Sequence, residues 1–323
     1  MRAVRIHSFG GPEVLHLDEV PQPEPSENQA LVRVVAAGIN FIDVYQRTGF
    51  YKVPLPYTSG MEAAGTVEKA GPGCDLVPGT RVAWAMAPGA YAEYASVPAA
   101  RLVPIPDGVG FDAAAAVMLQ GMTAHYLSEN TFPARAGDIA LVHAGAGGTG
   151  LLLIQLLKLK GATVYTTVST AEKATLAKEA GADETVLYKG EDFVTRVKEL
   201  TGGKGVNVVY DSVGLATYQG GFEVLRPRGM LVLFGQSSGK VPPIDPTILS
   251  EKGSLFLTRP SLAHHSADRQ ELLHRSSTIL RLVHDGKLRL RTERRYPLPE
   301  VAQAHRDLES RATTGKLLID VAR

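Results

Sequence analysis

The segment from Ile139 to Lys160 constrains this chain more than any other. Ile139-Ala-Leu-Val-His143 reads as a buried strand, Ala144-Gly-Ala-Gly-Gly-Thr-Gly150 as a glycine turn, and the Leu-rich stretch behind it as a helix. The β-branched run Ala162-Thr-Val-Tyr-Thr-Thr-Val168 supplies a second strand. Strand, turn, helix and strand close within about 30 residues, the length of a dinucleotide-binding unit. Gly145, Gly147 and Gly150 satisfy G-x-G-x-x-G. Such glycines let the backbone turn sharply and approach a pyrophosphate, whose charge the free N–H groups and dipole of a helix start favour. The bare motif also describes an ordinary tight turn. The register of the flanking elements is what points to a dinucleotide.

The end of the second strand indicates which dinucleotide. NAD sites usually carry an Asp or Glu roughly 20 residues after the first glycine to hold the ribose 2′-hydroxyl. Here Ser169 and Thr170 stand in that place, and Glu172 comes a little late, in the first turn of the next helix. Lys173 could bind a 2′-phosphate as a point charge. One of the two hydroxyls could equally serve as an N-cap, and Lys173 as a solvated helix residue. NADPH is the expected cofactor.

A chain of 323 residues exceeds one typical domain. Short strands punctuated by Gly and Pro (Arg2–Ile6, Ala30–Ala37, Ala63–Lys69, Arg81–Ala85, Tyr91–Ala95) predict a β-rich, barrel-like unit. A helical pattern follows over Phe111–Glu129. Strands and helices then alternate: Thr185–Tyr188, helix Asp192–Leu200, Asn207–Asp211, helix Tyr218–Leu225, Met230–Gly235 and Ser254–Thr258. That alternation predicts a parallel sheet with helical crossovers. A helix Glu271–His284, the pair Leu288–Leu290, a helix Pro299–Glu309 and a strand Lys316–Val321 would return to the β-rich unit. The expected fold is therefore α/β: a doubly wound Rossmann domain over residues 122–262 and a discontinuous β-rich domain from 1–121 and 263–323.

Several function classes are disfavoured. A formal charge of +1 without charge blocks argues against nucleic-acid binding or membrane electrostatics as the main role. No apolar run reaches the ~18 residues of a membrane span, and Met1-Arg-Ala-Val-Arg-Ile-His7 lacks a signal-peptide core. A cytoplasmic location is the default expectation. The single cysteine, Cys74, excludes a disulfide framework and a multi-Cys zinc site. Gly235-Gln-Ser-Ser-Gly239 matches the G-x-S-x-G elbow of hydrolases, but the prolines in Lys240-Val-Pro-Pro-Ile244 oppose the helix that the elbow requires.

Several motifs together carry a resemblance: Phe9-Gly-Gly-Pro-Glu-Val14, Gly38-Ile-Asn-Phe-Ile-Asp-Val-Tyr45, Gly60-Met-Glu-Ala-Ala-Gly65, Gln120-Gly-Met-Thr123, Tyr210-Asp-Ser-Val-Gly214, Thr258-Arg-Pro-Ser-Leu262 and Glu309-Ser-Arg-Ala-Thr313. The chain resembles, essentially end to end, the zinc-free medium-chain dehydrogenases/reductases of the NADPH:quinone oxidoreductase (zeta-crystallin-like) family, whose β-rich domain is GroES-like. Zinc alcohol dehydrogenases place a Cys near Gly38-Ile-Asn40 and a His in a Gly-His-Glu triplet. Asn40 and Met61 stand there instead, and the four-cysteine lobe is missing, so no metal is expected. Without that Lewis acid, a substrate that accepts hydride readily, such as a quinone, is implied.

The resemblance also distributes roles. It implies Asn40, Asp43, Tyr45 and Tyr51 on the substrate and nicotinamide side, with Phe41, Thr123 and Tyr126 approaching the cofactor. It places Gly148 and Thr149 on the pyrophosphate, and Ser169, Thr170, Lys173, Tyr188 and Arg311 around the adenosine end. Ser212, the run Phe234, Gly235, Gln236 and Ser237, and the run Thr258, Arg259, Pro260 and Ser261 would follow the middle and nicotinamide end. Tyr45 and Tyr51 could instead be packing residues, and Asp43 could merely orient its neighbours. A homodimer is implied, paired through the edge strand Ser254–Thr258. Three readings stay open: a quinone reductase, an NADPH-dependent reductase of enals or enoyl thioesters, and a crystallin-like NADPH- or RNA-binding protein. The absence of aromatic–basic interleaving weighs against RNA.

Overall fold

The computed structural model describes residues 1–322. Along the chain come β1 (Arg2–Ile6), β2 (His16–Glu19), β3 (Gln29–Gly38), α1 (Phe41–Arg47), β4 (Tyr57–Thr58), β5 (Glu62–Ala70), β6 (Arg81–Ala85), β7 (Tyr94–Pro98), β8 (Val103–Pro104) and α2 (Phe111–Tyr126). The alternating unit follows: β9 (Ile139–His143), α3 (Gly148–Leu159), β10 (Thr163–Val168), α4 (Ala171–Glu179), β11 (Glu184–Leu187), α5 (Phe193–Leu200), β12 (Val206–Asp211), α6 (Tyr218–Val224), β13 (Leu225–Leu233), α7 (Thr247–Glu251) and β14 (Phe256–Thr258). Last come α8 (Arg269–His284), β15 (Thr292–Pro297), α9 (Val301–Glu309) and β16 (Lys316–Asp320). Two compact units result: Met1–Met122 together with the segment from His265, and Thr123–His264.

The β-rich unit holds a sheet ordered β15-β16-β3-β5-β6-β8, with β7 also on β3, and a small sheet β2-β1-β4. Its core is aliphatic and aromatic, centred on Val32, Val34, Trp84, Tyr91, Leu102 and Ile319. The inward positions of β3 alternate as period-two patterning demands. The last strand joins the first half of the chain directly, with Leu318 opposite Gly38 and Asp320 opposite Ala36.

The second unit is one parallel sheet ordered β11-β10-β9-β12-β13-β14. In sequence order this is 3-2-1-4-5-6, the Rossmann arrangement, whose order reverses between β9 and β12. Ligands of such sheets bind beyond the strands' carboxyl ends at that reversal. Its core includes Leu141, Val206, Val209, Phe222 and Leu231.

Four elements differ from the sequence reading, each for a local reason. The strand expected at Tyr91–Ala95 lies at Tyr94–Pro98, because Tyr91 and Ala92 turn toward β1, where Ala92 forms a bridge with Ala3. The helix expected to run to Glu129 leaves α geometry at Tyr126 and widens into a π turn over Leu127–Thr131, with the Ser128 hydroxyl donating to the Ala124 and His125 carbonyls. The edge strand starts at Phe256 rather than Ser254, since Ser254 has a left-handed φ of 58°. Leu288–Leu290 forms no strand; the pairing with β16 is made by Thr292–Pro297. After Gly235-Gln-Ser-Ser-Gly239 no helix begins until Thr247.

Candidate active site

In the Rossmann unit, the carboxyl ends of the parallel strands bring together residues scattered over 120 positions of sequence. The glycine turn follows β9, Ser169 and Thr170 follow β10, Ser212 follows β12, Phe234–Ser237 follows β13, and Arg259–Ser261 follows β14. The turn is tight for a stated reason at each glycine. A Cβ at Gly145 would run into the Thr166 side chain, and one at Gly150 would stand 2.5 Å from the Ala144 carbonyl. Gly147 differs: a Cβ there meets only the Ala144 oxygen, at 3.2 Å. Gly147 is also the N-cap of α3, and no side chain caps that helix. The first-turn amides of α3 therefore have no side-chain acceptor at the cap, which fits a pyrophosphate.

Beside the turn, His143 is buried, its Nδ1 2.9 Å from the Thr167 hydroxyl and its ring edge-on to Phe193. Burial holds its pKa below the usual imidazole value, so the ring is neutral near pH 7. Thr170 caps α4 by accepting from the Lys173 N–H at 3.3 Å, with Glu172 in the first turn. Ser169 lies directly before that cap, and the Tyr188 N–H donates to the Val168 carbonyl, so Tyr188 adjoins the end of β10. Buried Asp211, at the end of β12, accepts from the Val213 and Gly214 N–H groups and the Thr217 hydroxyl. The backbones of two neighbouring loops then meet: the Ser237 N–H donates to Ser212 O, and a Cβ at Gly235 would strike the Ser212 backbone. Thr123 and Tyr126 are buried in the last turn of α2.

In the β-rich unit, Asn40 is the N-cap of α1 and Asp43 its N3 residue, and both are buried. The Asn40 N–H donates to Asp43 Oδ2 at 2.8 Å, and the Tyr91 hydroxyl donates to the same oxygen at 2.8 Å. Asp43 Oδ1 has no protein partner. Burial pushes the Asp43 carboxyl up to about 7, against the lowering effect of the bonds from Tyr91 and Asn40. The Asn40 side chain is engaged at both ends: Nδ2 donates to Glu62 Oε2 (2.8 Å) and Gly38 O (3.3 Å), while Oδ1 accepts from Lys316 Nζ (2.7 Å). At the other end of α1, buried Arg47 forks onto Glu309 at 2.8 and 2.9 Å. On the half-buried side of α1, Phe41 and Tyr45 join Phe50 and Tyr51 in an aromatic cluster with ring centroids 5.2–6.1 Å apart. Tyr51 is exposed at 40%. Arg311 occupies a left-handed position just beyond α9, at φ 58°.

Sequence reasoning missed Glu62, Tyr91, Lys316 and Asp211. The usable signal was a charge at a buried strand position, as in Met61-Glu-Ala-Ala-Gly65 and Lys316-Leu-Leu-Ile319. Where a thiolate ligand would stand in zinc dehydrogenases, this chain has an amide bonded to an ammonium.

A GroES-like unit joined to a Rossmann unit with a glycine turn defines a medium-chain dehydrogenase/reductase. Family models agree: one described as an alcohol dehydrogenase GroES-like domain matches residues 26–107, and one described as a zinc-binding dehydrogenase matches 148–274. The chain is 42% identical to a quinone oxidoreductase of Pseudomonas aeruginosa, covering 98% of this chain and 99% of that one. It superposes on the crystal structure of Escherichia coli quinone oxidoreductase complexed with NADPH with a TM-score of 0.97, at 42% identity over 99% of this chain and all of that one. A 2-haloacrylate reductase of Burkholderia is 40% identical, with 98% of each chain covered. The chain belongs to the quinone oxidoreductase family of medium-chain dehydrogenases/reductases.

Proposed function

We propose that this chain is an NADPH-dependent quinone oxidoreductase. The observation that carries the reading is the glycine turn: Gly147 opens the uncapped start of α3, and the neighbouring strand is followed by Ser169 rather than an acid. Gly145, Gly147, Gly148, Thr149 and Gly150 would hold the pyrophosphate on backbone N–H groups. Ser169, Lys173 and Tyr188 would surround the adenosine 2′-phosphate, which the Ser169 hydroxyl accepts where a carboxylate would repel it. When bound, the cofactor supplies a hydride from its nicotinamide. With one proton from solvent, that hydride reduces a quinone to a hydroquinone. The protein orients the reactants, which converts an encounter into a near-attack geometry. Tyr45 and Tyr51 would offer aromatic faces to a planar quinone, with Phe41 beside them toward the cofactor.

Turnover of 1,2-naphthoquinone, a 2-alkenal and crotonyl-CoA, each with NADPH and NADH, tests the reading. Quinone reduction preferring NADPH is expected. A second reading, reduction of activated alkenes, draws on the likeness to the 2-haloacrylate reductase, and dominant alkenal turnover would favour it. Activity is expected without zinc, and stoichiometric, activity-linked zinc on elemental analysis would contradict this. No described helix is long and apolar enough to cross a membrane; a cytoplasmic enzyme is expected. A homodimer pairing β14 with its twin is also expected, Phe256 on that edge being 56% exposed. A monomeric mass at micromolar concentration would count against it.

A further inference from the structure

Lys316 and Glu62 begin β16 and β5, the two strands that flank β3. Between them β3 ends at Gly38, and a Cβ on Gly38 would run into Glu62 Oε2. The missing side chain lets Lys316 Nζ reach across the end of β3 to Glu62 Oε2 at 2.5 Å. The two side chains are 3% and 0% exposed. Glu62 Oε1 accepts the Leu119 N–H of α2 at 2.6 Å, so the carboxylate is satisfied on both oxygens. Between the two charges sits the Asn40 side chain, its oxygen on the ammonium and its nitrogen on the carboxylate.

A buried ion pair adds little to stability relative to a well-packed apolar pair, because desolvation offsets the attraction; what it can add is a defined geometry. Here the geometry it defines is that of Asn40. Neither end of that amide can rotate without leaving a buried charge short of a partner. Asn40 starts α1, so its placement sets the direction of the helix carrying Phe41 and Tyr45. The geometry points to Lys316 and Glu62 as positioning residues for quinone reduction, acting through Asn40 on the aromatic face of α1 without touching the substrate. This rests on the function proposed above.

The test uses Lys316→Met, Glu62→Gln and the double variant, which leaves no unpaired buried charge. Three quantities are read: NADPH Kd by fluorescence titration, kcat and KM for 1,2-naphthoquinone, and amide hydrogen exchange over residues 40–47. In the double variant NADPH Kd should match wild type. Misplacement of about 1 Å can cost about a hundredfold in rate, so kcat should fall by roughly one to two orders of magnitude with a smaller change in KM. Exchange over 40–47 should accelerate. Glu62→Gln keeps the side-chain shape but leaves the Lys316 ammonium buried without its counter-ion, so kcat and exchange should shift in the same direction by at least as much. Wild-type exchange and wild-type kcat in the double variant, or in Glu62→Gln if the double does not fold, would overturn the assignment. If wild-type protein fails to reduce quinones, the functional reading falls, while the exchange measurement still decides whether the pair holds α1.

Discussion

The two halves of the candidate machinery are built by opposite means. In the Rossmann unit the proposed phosphate site rests on side chains that are missing: Gly147 leaves α3 without a side-chain cap and Gly150 lets the helix close on the turn. In the β-rich unit the candidate site rests on side chains bonded to one another, with Tyr91, Asp43, Asn40, Glu62 and Lys316 in a row. The first kind of site fails when something is added, and the second when something is taken away.

The sharpest break of that contrast is Gly147→Val. Gly147 has an ordinary extended backbone (φ −76°, ψ 165°), and a Cβ there would press on one atom only, the Ala144 oxygen at 3.2 Å, which a shift of a few tenths of an ångström relieves, so the fold should largely hold. Losing two hydrogen bonds to a charged group costs at least about 3 kcal/mol, which weakens NADPH by more than about a hundredfold. Normal binding by fluorescence titration would remove the glycine turn as the phosphate site. Next in size is cofactor choice. One charge-assisted contact is worth roughly 1.5–3 kcal/mol, so Lys173→Ala should weaken NADPH by about one to two orders of magnitude and leave NADH nearly unchanged. Ser169→Asp should reverse the preference. Equal loss with both cofactors, read as kcat/KM with one quinone, would place the 2′-phosphate elsewhere.

Gly150→Ala separates room from necessity within one turn. Its Cβ would meet the Ala144 oxygen at 2.5 Å and the Gly145 Cα at 2.8 Å, both backbone atoms. Overpacking of this kind costs about 1–3 kcal/mol, so urea unfolding should shift more for Gly150→Ala than for Gly147→Val. The last effect concerns pH and is read as a slope rather than as a single loss. Asp43 stands at about 7 in the folded chain, above the ordinary 3.8. Its contribution to stability is complete below pH about 4 and is lost as pH rises through about 7, at no more than about 1.4 kcal/mol per pH unit. His305 works in the other direction: burial, aided by Arg47, depresses it to about 3, so its contribution is lost as pH falls. That term is common to wild type and Asp43→Asn, so the difference between their urea midpoints across pH isolates Asp43. Identical pH slopes would mean Asp43 stays ionised.

The same contrast explains what could be read from sequence. The glycine turn is a local pattern: spacing, strand, helix and second strand lie within about 30 residues, and β1, β6 and β9 were legible residue for residue. The medium-chain resemblance extended the reading to both units. The charged row was not legible because its members pair over distances of 48, 254 and 276 residues, and no spacing rule spans such gaps. Asn40 and Asp43 were singled out, but not the fact that every polar atom of the Asn40 side chain is already engaged. The strand starts at Tyr94 and Phe256 were misjudged because Tyr91 and Ser254 look like strand residues by composition and are placed otherwise by tertiary contacts and a left-handed φ.

The absent side chain at Gly38 also has a consequence in time. Glu62 leaves the ribosome 254 residues ahead of Lys316. At about 5–20 residues per second, that is an interval of roughly 13 to 50 s. Throughout it, the groove over β3 holds a carboxylate with no counter-ion, so β5 has reason to stay wet while the Rossmann unit, uninterrupted in sequence, is synthesised whole. The last strand thus brings both the link between β15 and β3 and the charge that lets the centre of the sheet dry.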